Sequence, residues 1–295
     1  MTSTEITAPT TVAEPTPGRA RSSFLGRALR ARLAPLWLAV CLLMLLAAVG
    51  APILAPYDPT KVDSEALLDG PSRPHLLGTD QLGRDVLSRI VYGARASLAA
   101  GLSSVAAALL VGTTIGVVAG YLGGWVDNVA MRLMDTLLSF PALLLALAIT
   151  VVLGAGLVAV IVAISIVYVP TFARLARGQV LAAREQEFVL AARAVGVADV
   201  RIMARHILPN IAAPLIVQAS LSIAFAILTE ASLSFLGLGV KPPDPSWGSM
   251  VSDGRQYLRE APWVVFGPGA AILLTVTALN VLGDALRDAL DVRLQ

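Results

Sequence analysis

One cysteine, two histidines and two lysines are all that the 295-residue chain has of these types. The lone Cys41 can form no intrachain disulfide, and it lies inside an apolar run. With His75 and His206 far apart, no Cys/His cluster is present for a structural metal, and no metal ligand is assigned. Neither histidine belongs to an H-E-x-x-H pattern, and no Gly-x-x-x-x-Gly-Lys-Ser/Thr phosphate loop occurs, so ATP binding through that motif is excluded. No base is placed to activate a serine, and no catalytic residue is assigned. Charge is scarce as well. Charged residues make up 14% of the chain, against about 25% in soluble proteins. The net charge of +2 is too small, and the arginines too dispersed, to suggest nucleic acid.

What replaces charge is apolar surface: 56% of residues are hydrophobic and the mean hydropathy is +0.76. Such a chain cannot cover itself with polar groups in water, so the bilayer is its solvent. A crossing needs about 20 mostly apolar residues. Six stretches qualify, at about 34–55, 97–120, 127–153, 156–173, 211–235 and 263–282. Backbone groups in hydrocarbon must pair within their own segment, so these are helices and the fold class is an all-α membrane protein.

Residues 1–33 read as a disordered Thr/Pro-rich and basic tail, with Arg19, Arg21, Arg27, Arg30 and Arg32 just before the first span. That span is too long for a signal-peptide h-region and is expected to be retained. Residues 34–96 form the first span and an extracytoplasmic segment, and 97–295 form the transmembrane domain. With the N-terminus inside, fourteen Lys and Arg fall on the cytoplasmic side and eight outside. The positive-inside rule then places both termini in the cytoplasm of a multi-pass protein.

Gly112, Gly116 and Gly120 recur at four-residue spacing and make a flat stripe for close helix approach, within the chain or to a partner. Pro141, Pro170, Pro214 and Pro268 fall within spans, where each removes a backbone donor and favours a bend. Asp135 and Glu230 are ionisable residues inside expected spans, at a cost of about 2.5–3.5 kcal/mol each near a helix centre. They are candidates for a translocation pathway or for a helix-to-helix hydrogen bond.

Between two apolar runs stands an arginine-bearing segment, 187–210. Phe188, Ala192 and Val195 are expected to share an apolar stripe on a first helix, which Gly196 ends through a left-handed turn. Arg201 and Arg205 share one face of a second helix, Met203 and Ile207 another, and Pro209 closes the segment. Such a helix fits a groove in a soluble partner or lies on anionic lipid. At the outer surface Gly78, Asp80, Gly83, Arg84, Asp85 and Arg89 form a glycine-punctuated turn and a charged helix start with local ion pairs. This is either a structural clamp or a contact for substrate or a delivering protein.

The segment 187–210 resembles the EAA loop of bacterial ABC-importer permeases, on Ala191, Ala192, Gly196, Leu208 and Pro209. It departs at Leu190, where that family has glutamate, and at His206, where isoleucine is common; Glu187 lies one turn earlier. The stretches from His75 to Leu98, Thr229 to Gly248 and Asn280 to Asp291 are similar to the second permease of oligopeptide, dipeptide and nickel importers. The resemblance implies a type I importer fold with six transmembrane helices and a cytoplasmic coupling loop. In it Glu187, Ala191, Ala192, Arg193, Gly196, Arg201, Arg205, Leu208 and Pro209 would meet the ATPase.

It also implies a homologous second permease, two ABC ATPase subunits carrying ATP and Mg, and an extracytoplasmic binding protein, in a bacterial cell membrane. This chain itself would hold no cofactor. The substrate would be a peptide, or alternatively nickel or another small solute. Two rivals stand outside the family. A secondary transporter would need inverted repeats and more intramembrane charge, and a membrane-embedded enzyme would need a clustered acid, base or metal set.

Overall fold

The computed structural model describes residues 18–291, with side chains from 34 to 289. The described residues contain no β-strand, only one isolated antiparallel bridge between Thr79 and Asp85. The helices are α1 (Gly18–Val49), α2 (Ala51–Leu54), α3 (Val86–Leu122), α4 (Gly124–Leu138), α5 (Ala142–Leu153), α6 (Leu157–Ala183), α7 (Glu187–Ala194), α8 (Asp199–Ile202), α9 (Leu208–Phe235), α10 (Trp247–Gly254) and α11 (Trp263–Asp291). A π-helical turn, Met203–Ile207, joins α8 to α9.

The expected tail, 1–33, needs correction from Gly18 onward, where α1 already begins; residues 1–17 lie outside the described residues. Among the described residues four helices are long and apolar enough to cross a membrane: Val86–Leu122, Leu157–Ala183, Asp199–Phe235 and Trp263–Ala289. This makes the chain a multi-pass membrane protein. The apolar part of α1, Ala34–Val49, is shorter than a crossing helix. The expected span 127–153 is not one straight helix. It is α4 and α5, bent by 92° at Ser139, Phe140 and Pro141. Pro141 has no N–H to continue α4 and disfavours helical geometry at Phe140. The freed end is satisfied locally, since Ser139 N–H donates to the Asp135 carbonyl at 3.0 Å and its hydroxyl to Thr136 O at 2.7 Å. By contrast, α6, α9 and α11 run on through Pro170, Pro214 and Pro268.

The centre of the fold is α3 against α6. Apolar burial gives no advantage over lipid tails, so close van der Waals packing must hold helices together. The glycine stripe supplies it within the chain. A Cβ on Gly112 would lie 2.5 Å from Val169 O and 2.8 Å from Phe172 Cβ. One on Gly116 would run into Ala173 O, and one on Gly120 would stand 3.1 Å from Arg177 O. Ser104 adds a hydroxyl bond to Ile161 O, 3.2 Å. Around this pair, Ile207 of the π turn and Ile211, Leu215, Ala226 and Leu233 of α9 extend one apolar core. A second core gathers Ala94 and Leu98 of α3, Ile227 of α9, Ala271 of α11 and Trp247.

Candidate functional site

The two sequence signatures stand at opposite ends of α3. Its 37 residues separate them by about 55 Å at 1.5 Å per residue.

At its N-terminal end lies a knot built on Asp80. Gly78 and Gly83 make the turn, with φ of +71° and +72°. Both are also pressed by neighbours: a Cβ at Gly78 would be 2.6 Å from Asp69 O and from Trp263 Nε1, and one at Gly83 would enter the Asp63 backbone. Asp80 Oδ1 accepts from Leu82 N at 2.9 Å and Arg84 N at 3.0 Å. Its Oδ2 takes Arg84 Nε at 2.7 Å, with Arg89 Nε at 3.4 Å. Asp85 caps α3, accepting from Ser88 N and Ser88 Oγ at 2.7 Å each, and pairs with His75 Nδ1 at 2.9 Å. Arg89 also donates to Pro59 O at 3.0 Å, and Trp263 Nε1 donates to Thr79 O at 3.1 Å.

All four charged residues of the signature are buried. Buried this way, the set ties the segment before α3 to α3 itself and to α11, which is the clamp geometry. Nearby, partial burial of Asp253 raises its carboxyl, against the pull of the Arg89 and Arg84 guanidiniums. A cavity of about 230 Å³ is lined by these groups together with Ser234, Pro243 and Asp244.

Glu230 is fully buried, on the α9 face toward α3 and α10. Ser234 Oγ donates to Oε1 at 2.6 Å, and the hydroxyls of Ser97 and Ser246 lie against the carboxylate. Oε2 has no partner within hydrogen-bonding distance. Glu230 thus sits inside the chain at a helix junction. Asp135 is the opposite case. It is 59% exposed and pairs with Arg174 of α6 at 2.5 Å, so it lies on the chain's surface rather than in its interior.

At the other end of α3 lies the 187–210 segment. Gly196 takes φ of +77°, the left-handed turn expected of it. The helix there is shorter than the stripe needs. α7 stops at Ala194, so Val195 falls beyond it and is 79% exposed. The buried face is Val189 and Ala192, with Phe188 half-buried beside them. Ala192, at 8% exposure, faces this chain's own core; an outward-facing Ala192 is a reading the structure overturns. The outward surface is made by Leu190, Val195 and Val200, with Glu187, Ala191, Arg193, Arg201 and Arg205 exposed among them. Leu208 and Pro209 start α9 and are exposed too. The second helix of the segment is no separate element, because α8, the π turn and α9 form one run, Asp199–Phe235.

Sequence reasoning missed what holds this segment. Tyr121, in the last turn of α3, donates its hydroxyl to Asp199 Oδ1 at 2.6 Å and accepts from Arg193 Nε at 3.2 Å. The Arg193 guanidinium also lies over the Tyr121 ring, 4.8 Å from its centroid. Arg177 donates twice to Asp127, at 2.5 and 2.6 Å, and Arg184 donates to Gly120 O at 3.0 Å. A tyrosine at the end of an apolar run reads as an interfacial anchor, so its sequence position carried no sign of these partners.

Comparison with known proteins agrees with this architecture. A family model described as "Binding-protein-dependent transport system inner membrane component" matches residues 112–295. The dipeptide transport system permease protein DppC of Alkalihalophilus pseudofirmus is 47% identical over 264 residues, covering 90% of this chain and 87% of the relative. The di/tripeptide transport system permease protein DppC of Pseudomonas aeruginosa is 48% identical over 260 residues, covering 86% of each. The glutathione transport system permease protein GsiD of Pectobacterium atrosepticum is 47% identical over 255 residues, covering 86% of this chain and 85% of the relative. An inward-facing structure of the MetNI methionine ABC transporter shares the fold, with a TM-score of 0.56 at 20% identity, over 69% of this chain and 96% of that one. The chain belongs to the family of binding-protein-dependent transport system inner membrane components.

Proposed function

We propose that this chain is the membrane permease subunit of an ATP-driven importer whose cargo is a short peptide or a closely related solute. The observation that carries the reading is the 187–210 segment. It presents Leu190, Val195 and Val200 to the outside beside Arg193, Arg201 and Arg205, on a base packed into the helical core. An apolar surface with basic flanks, held rigidly at the end of a bundle, is what a groove in a soluble partner accepts. Two ATPase subunits dock there, and ATP and Mg belong to them. A homologous permease completes the pathway, and a binding protein delivers cargo at the Asp80 end. The peptide assignment follows the dipeptide, di/tripeptide and glutathione permeases that the chain resembles at 47–48% identity.

In this reading the chain crosses the bacterial cell membrane six times, α1 and the bent α4–α5 pair each counting once, with both termini and the 187–210 segment in the cytoplasm. Cysteine labelling tests the arrangement. With Cys41 replaced, an impermeant maleimide added outside modifies cysteines placed at Asp69 or Gln256, both exposed, and leaves one at the equally exposed Ala198 unmodified. Labelling at Ala198 would reverse the orientation and remove the docking role. For the cargo, uptake of a radiolabelled dipeptide by cells lacking this chain should fall to background and return when it is restored. Unchanged dipeptide uptake on deletion would end the peptide assignment.

A further inference from the structure

We propose that Tyr121 is a positioning residue for transport, the strut through which the docking segment moves the corner between α3 and α4. The inference rests on the coupling role given to that segment above.

Three elements meet on one hydroxyl. Arg193 comes from the last turn of α7, Asp199 from the first residue of α8, and Tyr121 from the last turn of α3. The hydroxyl uses both its capacities, donating to Asp199 and accepting from Arg193. Those two residues flank the Gly196 turn, so the hydroxyl bridges the two ends of the outward surface. Tyr121 itself is 6% exposed, with its ring in the main apolar core. A push on α7 or α8 therefore reaches a side chain that is part of the bundle.

What lies beyond Tyr121 gives the push somewhere to go. Gly123 and Gly124 follow with φ of +66° and +57°, and α4 starts there. Of the α4 and α5 side chains, only Asp127, Met134, Ala146 and Thr150 are buried. This arm is held to the rest of the chain largely at its α3 corner and along α6. Two other polar ties reach the corner, Arg177 to Asp127 and Arg184 to Gly120 O, but both start from α6. Tyr121 is the corner residue that bonds to α7 and α8 themselves. Displacement of the docking segment is thus handed to the arm that carries the 92° bend.

Tyr121→Phe tests this, because it keeps the ring and the cation–π contact and removes only the hydroxyl. The measurement is dipeptide moved per ATP hydrolysed by the complete importer in proteoliposomes. Loss of one or two hydrogen bonds of ordinary strength predicts a fall of about threefold to tenfold in that ratio. ATPase retention on purification stays at the wild-type value, and the thermal midpoint falls by no more than about 5 °C. Asp199→Ala should give the same fall, and the double variant no more than either single one. Asp199→Asn keeps an acceptor oxygen and should recover most of the ratio. A wild-type ratio in Tyr121→Phe overturns the proposal, as does a fall that appears only with lost ATPase retention or a midpoint lowered by about 10 °C or more. Failure of the docking reading shows differently, as normal uptake by the surface variant Val195→Glu.

Discussion

Asp80→Ala is expected to destabilise the protein by about 3–5 kcal/mol, the range for removing one partner of a buried ion pair. Two guanidiniums lean on that carboxylate, and both are almost free of solvent. Without it Arg84 and Arg89 remain buried as cations without the carboxylate that pairs with both, while Leu82 N and Arg84 N lose their acceptor. Asp80→Asn keeps an acceptor oxygen for the backbone and should fall between the two. The contrasting variant is Asp135→Ala. Its ion pair with Arg174 is more than half exposed, so its effect should stay within about 1 kcal/mol. Thermal midpoints in detergent, with steady-state abundance in the membrane, check the order Asp80→Ala, Asp80→Asn, Asp135→Ala. Equal midpoints for Asp80→Ala and Asp135→Ala would mean that the knot clamps nothing.

The second large effect separates docking from folding within one turn of chain. Val195→Glu puts a charge on a residue 79% exposed and beyond the end of α7. Abundance should be normal, while ATPase retention and uptake are lost, because a docked interface would bury an unpaired carboxylate at a cost of several kcal/mol. Ala192→Glu places the same carboxylate in this chain's own core, against Val189 and its neighbours. The cost falls on the segment before any partner arrives, so abundance or protease resistance should drop along with uptake. Gly196→Asp is milder. A Cβ there meets nothing within 4 Å, so the penalty is the left-handed backbone alone, about 1–2 kcal/mol. Protease sensitivity, pull-down of the ATPases and vesicle uptake distinguish the three. Normal uptake by Val195→Glu would return the segment to the interfacial-helix reading.

Two expectations at 187–210 show where sequence reading stops. Gly196 was legible because its conformation is a property of the residue and the turn, and φ of +77° follows locally. The face presented by Ala192 was not, because it depends on where α7 ends and on which neighbours fill the space beside it. Periodicity joined Phe188, Ala192 and Val195 into one stripe, but the helix stops one residue short of Val195. The glycine stripe behaved like Gly196 in one respect: the spacing of Gly112, Gly116 and Gly120 already implied a close helix contact. That the contact is α6 of the same chain, and not a second permease, was decided by packing.

Composition and apolar run length determined the solvent, the helical class and the order of the spans, because hydrocarbon leaves the backbone so few choices. Motif spacing determined the family. The tertiary structure decided what charge does. Asp80, Arg84, Asp85 and Arg89 look like surface residues of a charged helix start, yet fold into a buried knot. Asp135 was open as a pathway residue or a helix-to-helix bond; its exposed carboxylate makes the latter, reaching from α4 to Arg174 of α6. Tyr121 drew no reading from the sequence, yet joins three helices through one hydroxyl. The worth of a charge or a hydroxyl depends on its desolvation and on partners within about 3 Å, and here those partners are 39 to 78 residues away for Asp135 and Tyr121. Only the folded chain brings them together.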